Sequence, residues 1–392
     1  MKRWRPHCIV VCLVVALGLT GALDAIQNIL TDWRFELTSR RATGEVVLVA
    51  IDAPSIERLG VWPWPRTVHV ELLRKLRISG AADVAFDIDF SSRSTPADDE
   101  AFRSELRAFG GSVILPTFKQ VTRHQDGTPR IHIARPAPDL AEHAWSASVN
   151  VQPTANGLVR SYVMGESIGG EFFPSLAALL AGRYEKTAQS FLIDYSIRRP
   201  LQLIPIIDVL DGKVDPARLK DKKIIIGATA IELGDRFHVP VYGNISGVEL
   251  QVLAAESILQ DRRLEITSSI VSIIGLAVLA GAMLLMWGRF RPVTTALVLL
   301  MFAIGVEGAA HLLQAMSPVA LNTAPWIVGI AGYVLTLALI ELDLRQLLAN
   351  FAQDRFQSIA LALGDGVVCL DAEGRVTFWN PGARAIFWIL LG

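Results

Sequence analysis

Four aspartates stand where strand-like runs end. Asp52 closes the continuous apolar run EVVLVAID, Asp87 and Asp89 lie at the end of ADVAFDIDF, and Asp235 follows KKIIIGAT after a glycine-bearing loop, with Arg236 beside it. Carboxylates gathered at the ends of buried strands could hold a divalent cation, or divide the work of acid and base. The competing reading is that each aspartate caps the helix or turn that follows its strand. No nucleophile elbow, phosphate loop or zinc spacing accompanies them. His69, His124, His132, His143 and His238 also lack metal-ligand spacing. Contact with a ligand is therefore favoured over catalysis, and neither a metal nor a cofactor is predicted.

The elements that must position these groups are those of an α/β domain. Runs apolar from end to end, as in EVVLVAID and KKIIIGAT, predict strands buried on both faces. RTVHVELLRKLRISG places Val68, Leu72, Leu73 and Leu76 on one helical face and stops at Gly80. A strand, a helix and a second strand in succession predict a parallel crossover. Between the first strand and its helix lies LGVWPWPR, where two alternating prolines stiffen an extended segment carrying Trp62 and Trp64. The tryptophans could form an aromatic lid over a ligand. The favoured alternative is a rigid plug on the sheet, with Arg66 pairing to a carboxylate.

The whole chain has 392 residues, 52% of them hydrophobic, and a net charge of −1. That apolar content predicts membrane spans, and the balanced charge gives no face for nucleic acid. Cys8, Cys12 and Cys369 have neither redox nor metal spacing, which excludes a disulfide framework. A basic start precedes CIVVCLVVALGLTGAL, a signal peptide or an uncleaved anchor, with the length of the run favouring the anchor. Three further runs, Ile266–Trp287, Val293–Leu313 and Val319–Ile340, approach the roughly 20 residues that a helix needs to cross a bilayer. Lys2, Arg3, Arg5, Arg289 and Arg291 place the N-terminus, the second span's exit and the C-terminus in the cytoplasm. The expected order is an anchor over 1–23, an outer domain over 24–265, three spans over 266–340, a signalling helix over 341–363 and a short terminal domain start over 364–392. In the third span Glu307 and His311 share a helical face. They read either as a relay pair or, the favoured reading, as a hydrogen-bonded pair that fixes helix packing.

VVLVAIDAPSIERLGVWPWPRTVHVELLRKLRISGAADVAFDIDF resembles the opening of the second type of CHASE domain, an extracellular sensor attached to bacterial cyclases and histidine kinases. The resemblance continues in order through SVNVQPTANGLVRSY, FPSLAALLAG, DVLDGKVDPARLKDKKIIIGATAIELGDRF and ISGVELQVLAAESILQDRRL. It implies a sensor of the bacterial inner membrane, with its sensing domain in the periplasm and helices that carry the signal inward. The implied partners are a periplasmic small-molecule or protein cue and a second copy in a homodimer. Two positions depart from the family pattern, Asn156 where an aspartate is usual and Gln251 where a histidine is common.

Near the C-terminus, GVVCLDAEGRVTFWNPGARAIF predicts two short strands, a turn and a helix opened by Asn380-Pro381. This order resembles the start of a PAS domain, of which about a third is present before WILLG. Relatives of this order often continue into a diguanylate cyclase or a cyclic-di-GMP phosphodiesterase, and others into histidine kinases or nucleotide cyclases. None of their catalytic motifs occurs in the sequence. The expectation is a non-catalytic input half with an incomplete PAS segment. The alternative is a shortened subunit that modulates longer paralogues.

Overall fold

The computed structural model describes residues 4–123, 129–199, 201–341, 358–363, 365–371 and 373–391. The chain forms two compact units. One comprises Asp24–Ser272 with Glu307–Ala324, and the other comprises Met1–Leu23, Ile273–Val306 and Pro325–Gly392.

The first unit is built on a seven-stranded sheet. Its strands are β1 (Val46–Ile51), β2 (Asp83–Asp87), β3 (Val113–Arg123), β4 (Pro129–Ala134), β5 (Trp145–Ser148), β10 (Gln202–Pro205) and β11 (Lys223–Ala228). Along the path β10-β1-β11-β2-β3 every pairing is parallel, and β5 also pairs parallel with β3. Only β4 runs antiparallel, against residues 118–123 of β3. The parallel crossover from β1 to β2 is present, but β11 lies between the two strands and pairs with both.

Every residue of β1 is buried, because alternate side chains serve different cores. Val46, Leu48 and Ala50 face one core, and Val47, Val49 and Ile51 face the other. The second of these cores is covered by α4 (Arg66–Ile78), α5 (Pro96–Ala108) and α8 (Ile206–Leu210), with α6 (Pro138–Ala141) at its margin. The first lies beneath α7 (Leu176–Leu180) and α9 (Gly247–Leu259), and α2 (Ala22–Leu37) adds Phe35 to it. All residues from Gly247 to Ile258 are buried, so α9 is apolar around most of its circumference, as a central helix must be. A reciprocal capping box between Ser246 and Glu249 opens it. Short ribbons complete the unit: β6 (Ser161–Val163) with β9 (Ser190–Leu192), β7 (Gly165–Ile168) with β8 (Glu171–Pro174), β12 (Arg236–Val239) with β13 (Gly243–Ser246), and β14 (Glu265–Ile266) with β15 (Val319–Ala320).

Directly after β1 comes a short helix, α3 (Ala53–Leu59), ahead of the proline-rich segment. The stiff segment is confined to Gly60–Pro65, where the Trp62-Pro63 peptide is cis.

The second unit packs α1 (Arg5–Leu19) with α10 (Ser269–Met286), the first part of α11 (Pro292–Met316) and α12 (Ala324–Glu341). Its core is Val10, Leu279, Met283, Leu299, Ile330, Tyr333 and Leu337. Close approach depends on glycine: a Cβ on Gly275 would lie 2.3 Å from the Trp326 ring. Among the described residues two helices, α10 and α11, are long and apolar enough to cross a membrane. The apolar part of α12, Ala324–Leu339, is shorter, and α1 meets the requirement only together with α2. The expected signalling helix over 341–363 lies mostly outside the described residues.

The tail consists of an antiparallel pair, β16 (Val368–Leu370) and β17 (Val376–Trp379), followed by α13 (Pro381–Leu391). Asn380 is fully buried and holds this unit together. Its Oδ1 accepts from the Val367 and Ala383 backbone N–H groups, and its Nδ2 donates to the carbonyls of Ala360, Leu363 and Asp365.

Candidate functional site

A cavity of about 890 Å³ opens at the carboxyl ends of β2 and β11, the edge where open α/β sheets place their ligands. Among the described residues five carboxylates line it, Asp87, Asp89, Glu166, Glu232 and Asp235, against the single cation Lys119. Trp62, Phe118 and Phe237 provide aromatic wall, and Asn150, Gln152 and Gln251 provide amides.

Each group reaches the cavity for a local reason. Asp87 is the last residue of β2, paired across from Gly227 on β11. Gly227 cannot carry a side chain there, because its Cβ would meet Val248 at 2.7 Å and the Asp87 Cβ at 3.2 Å. Asp235 lies against the N-terminus of α9, where a Cβ on Gly247 would fall 2.0 Å from its Oδ2. The Gly247 N–H donates to the Asp235 carbonyl, which fixes the loop to the helix. The positive end of a long buried helix favours a carboxylate at this point.

Glu166 is firmly held, accepting from Ser148 Oγ and, at 2.6 Å, from Asn150 Nδ2, with Lys119 Nζ 3.9 Å away. Gln251 is equally fixed: its Nε2 donates to the Val149 carbonyl and its Oε1 accepts from the buried Tyr162 hydroxyl. By contrast, the Asp87 and Asp235 carboxylates have no hydrogen-bond donor among the described residues, and both face the cavity. Burial, reinforced by the charge of Asp235, pushes the Asp87 carboxyl up to about 7. Burial raises Asp235 as well. Near neutral pH Asp87 therefore passes between its neutral and charged forms, and a cation entering the cavity would favour the charged one.

Of the residues predicted from sequence, Trp62, Asp87, Asp89 and Asp235 come together at this cavity, and four others do not line it. Asp52 is the N-cap of α3, accepting from the Ser55 N–H and hydroxyl. Trp64 is 5% exposed and donates its Nε1 to the Gly60 carbonyl at 3.0 Å. Arg66 is buried, pairs with Asp99 at 2.8 Å, and stacks over Phe90 and Phe102. Arg236 donates to the Asn244 carbonyl within its own hairpin. The WPWPR segment is thus mainly the plug, and only its Trp62-Pro63 end reaches the cavity wall among the described residues. Beneath it the buried His69 has its pKa lowered to about 4, by burial and then by Arg66.

Glu166, Lys119 and Phe118 carried no periodic or motif signal, and the fold alone recruits them, while Asn150, Glu232 and Phe237 lie inside family-like stretches without a signal of their own. Gln251 had a signal, as a departure from the family pattern. Asn156, the other departure, sits in a turn, accepting from Thr154 Oγ1 and the Leu158 N–H.

The expected Glu307–His311 pair is replaced by another. Glu307 accepts from Arg34 Nε at 3.1 Å and Nη2 at 2.8 Å, and from the Thr323 hydroxyl. Helical spacing put His311 within reach, but Arg34 brings a full charge and two donors to the same carboxylate. The Nδ1 of His311 is buried without a hydrogen-bond partner among the described residues.

A model of the CHASE2 domain family matches residues 9–286, well over half of the chain. No curated protein and no solved structure matches it.

Proposed function

The chain belongs to the CHASE2 family, and from that premise we propose that it is the input part of a membrane signalling protein whose cue enters the β2–β11 cavity. The observation that carries this reading is the pair Asp87 and Asp235, two carboxylates without internal donors on the wall of a cavity large enough for a small molecule. Four further features support a cationic cue: the excess of carboxylates over Lys119, and the rings of Trp62, Phe118 and Phe237 that can face a cation. The helices α10 and α11 support a membrane location. The excess of arginine at the Arg289–Arg291 turn supports placing that turn in the cytoplasm and the sheet domain in the periplasm. The hairpin-and-helix tail supports the PAS reading by order of elements only. By resemblance, a cyclic-di-GMP enzyme is the favoured output, and a homodimer the favoured assembly.

The test is isothermal titration of the full chain in nanodiscs at pH 7.5, with spermidine and putrescine as probes and 1,6-hexanediol and citrate as controls. Saturable heat with the amines, absent in Asp235→Asn, is expected. Equal responses to amines and controls, or an undiminished response in the variant, would overturn the cationic reading.

A further inference from the structure

Helix α2 is amphipathic in the inverted sense. Its buried side is mostly polar: Gln27, Thr31 and Arg34, the last with no exposed surface, beside the single buried apolar residue Phe35. Its outward side carries an apolar stripe at four-residue spacing, Ala25, Ile29, Trp33 and Leu37, with Ile29 66% and Trp33 48% exposed and the exposed carboxylates Asp24 and Glu36 at its two ends. In water such a helix would fold the other way round.

The buried side grips the 307–324 segment of the same compact unit. Gln27 donates to the Leu321 carbonyl and accepts from the Thr323 and Ala324 N–H groups. Gln314 donates to the Thr31 carbonyl, and Arg34 donates to Leu321 and to Glu307. The position of Glu307 along α11 sets a depth for all of this. Glu307 lies fifteen residues past Pro292, about 22 Å along the helix axis. A bilayer core is about 30 Å thick. Counted from the Arg289–Arg291 end, Glu307 is therefore about 7–8 Å short of the far boundary of the hydrocarbon. Arg34, bonded to it at 2.8 Å, shares that depth. A fully buried arginine paired to its carboxylate is the form in which charges are tolerated there. Apolar exposure continues on α11 itself at Leu312 and Met316.

We infer that α2 is embedded in the far leaflet of the bilayer, with the Ala25–Ile29–Trp33–Leu37 stripe against lipid acyl chains. The inference rests on reading α11 as a membrane span. The occupant is hydrocarbon, not an anionic headgroup, because the single basic residue of α2, Arg34, is turned inward and its remaining charges are Asp24, Asp32 and Glu36. Asp32 is already paired to Arg160. The first element of the sensor unit would then sit in lipid, and a change in the sheet domain that moves Phe35 in its core would be felt at the Arg34–Glu307 joint.

The test uses the full chain with Cys8, Cys12 and Cys369 changed to serine, in phosphatidylcholine nanodiscs, carrying one spin label at a time. Labels go at Ala25→Cys, Ile29→Cys or Trp33→Cys, at Val298→Cys on α11 as the lipid control, and at Ile78→Cys on α4 as the water control. The readout is collision with oxygen against collision with a polar nickel chelate. Labels on the stripe are expected to match Val298, with a ratio about tenfold in favour of oxygen over that at Ile78, since hydrocarbon excludes polar solutes. The ratio should be unchanged in phosphatidylglycerol discs. Stripe labels that follow Ile78 would overturn the inference while leaving the span reading intact. So would labels shielded from both reagents and broadened by a second label, which would mean that another copy covers the stripe. A Val298 label open to the chelate would overturn the span reading, and the inference with it.

Discussion

Replacing Asp87 with asparagine should make the protein more stable at alkaline pH and leave it unchanged in acid. The Asp87 carboxyl is pushed up to about 7 from an ordinary 3.8, first by burial and then by Asp235. The folded chain therefore holds this proton in a range where the unfolded chain has released it. The associated stability is fully present below about pH 4, and is lost as the pH rises to about 7. A shift of that size corresponds to on the order of 4 kcal/mol. Asp87 retains partial contact with solvent at the cavity, which screens it, so about half of that, roughly 2 kcal/mol, is the realistic difference. Asparagine keeps the shape and removes the charge, and no hydrogen bond to the Asp87 carboxylate among the described residues is lost with it. For a domain of this size the gain at pH 8 should raise Tm by about 4–8 °C. Thermal unfolding of the full chain in nanodiscs, followed by tryptophan fluorescence at pH 4.5, 6 and 8, reads this as the gap between wild type and variant. A gap that opens with rising pH agrees with the reasoning. A gap independent of pH, or a variant less stable at pH 8, refutes it.

Three further outcomes follow from the same geometry. Glu307→Gln leaves Arg34 buried without its counter-charge and should lower stability by about 3–5 kcal/mol, while Arg34→Met with Glu307→Met should recover most of the loss; melting temperatures of the two variants in one lipid decide it. Gly247→Ala drives a methyl into Asp235 and should lose about 1–3 kcal/mol, relieved by adding Asp235→Gly; a double-mutant cycle that shows simple additivity would count against the contact. Asn380→Ala removes the side chain that holds the loop before β16, the helical segment before it and α13 together, so limited proteolysis should cut the tail faster with the sheet domain untouched.

Much of the scaffold was legible because burial on two faces writes a continuous apolar run and burial on one face of a helix writes a period of 3.6. That is why β1, β2, β11 and α4 could be read directly. Their order in the sheet could not, since β11 joins β1 and β2 from more than a hundred residues away. The strand-end aspartates looked equivalent, yet Asp52 begins Asp-Ala-Pro-Ser, where proline in the first turn and serine at the third helical position mark a helix start. That signal was available and separates the cap from Asp87. Glu166 lies on the short β7 and Asn150 in the loop just past β5, and their meeting depends on tertiary packing of which local pattern carries no trace. Arg34 and Glu307, 273 residues apart, were separated by reading α2 as the start of a water-exposed domain. Its apolar residues were visible, but which of its two faces was buried depended on the partner.

The central claim is that the β2–β11 cavity receives a cationic cue, and hydrogen exchange of the full chain in nanodiscs, with and without spermidine at pH 7.5, tests it most directly. Protection is expected at residues 87–92, 149–152 and 232–237 and at the start of α9, and should disappear in Asp235→Asn. Spermidine-induced protection that appears elsewhere, or that survives in the variant, would contradict it.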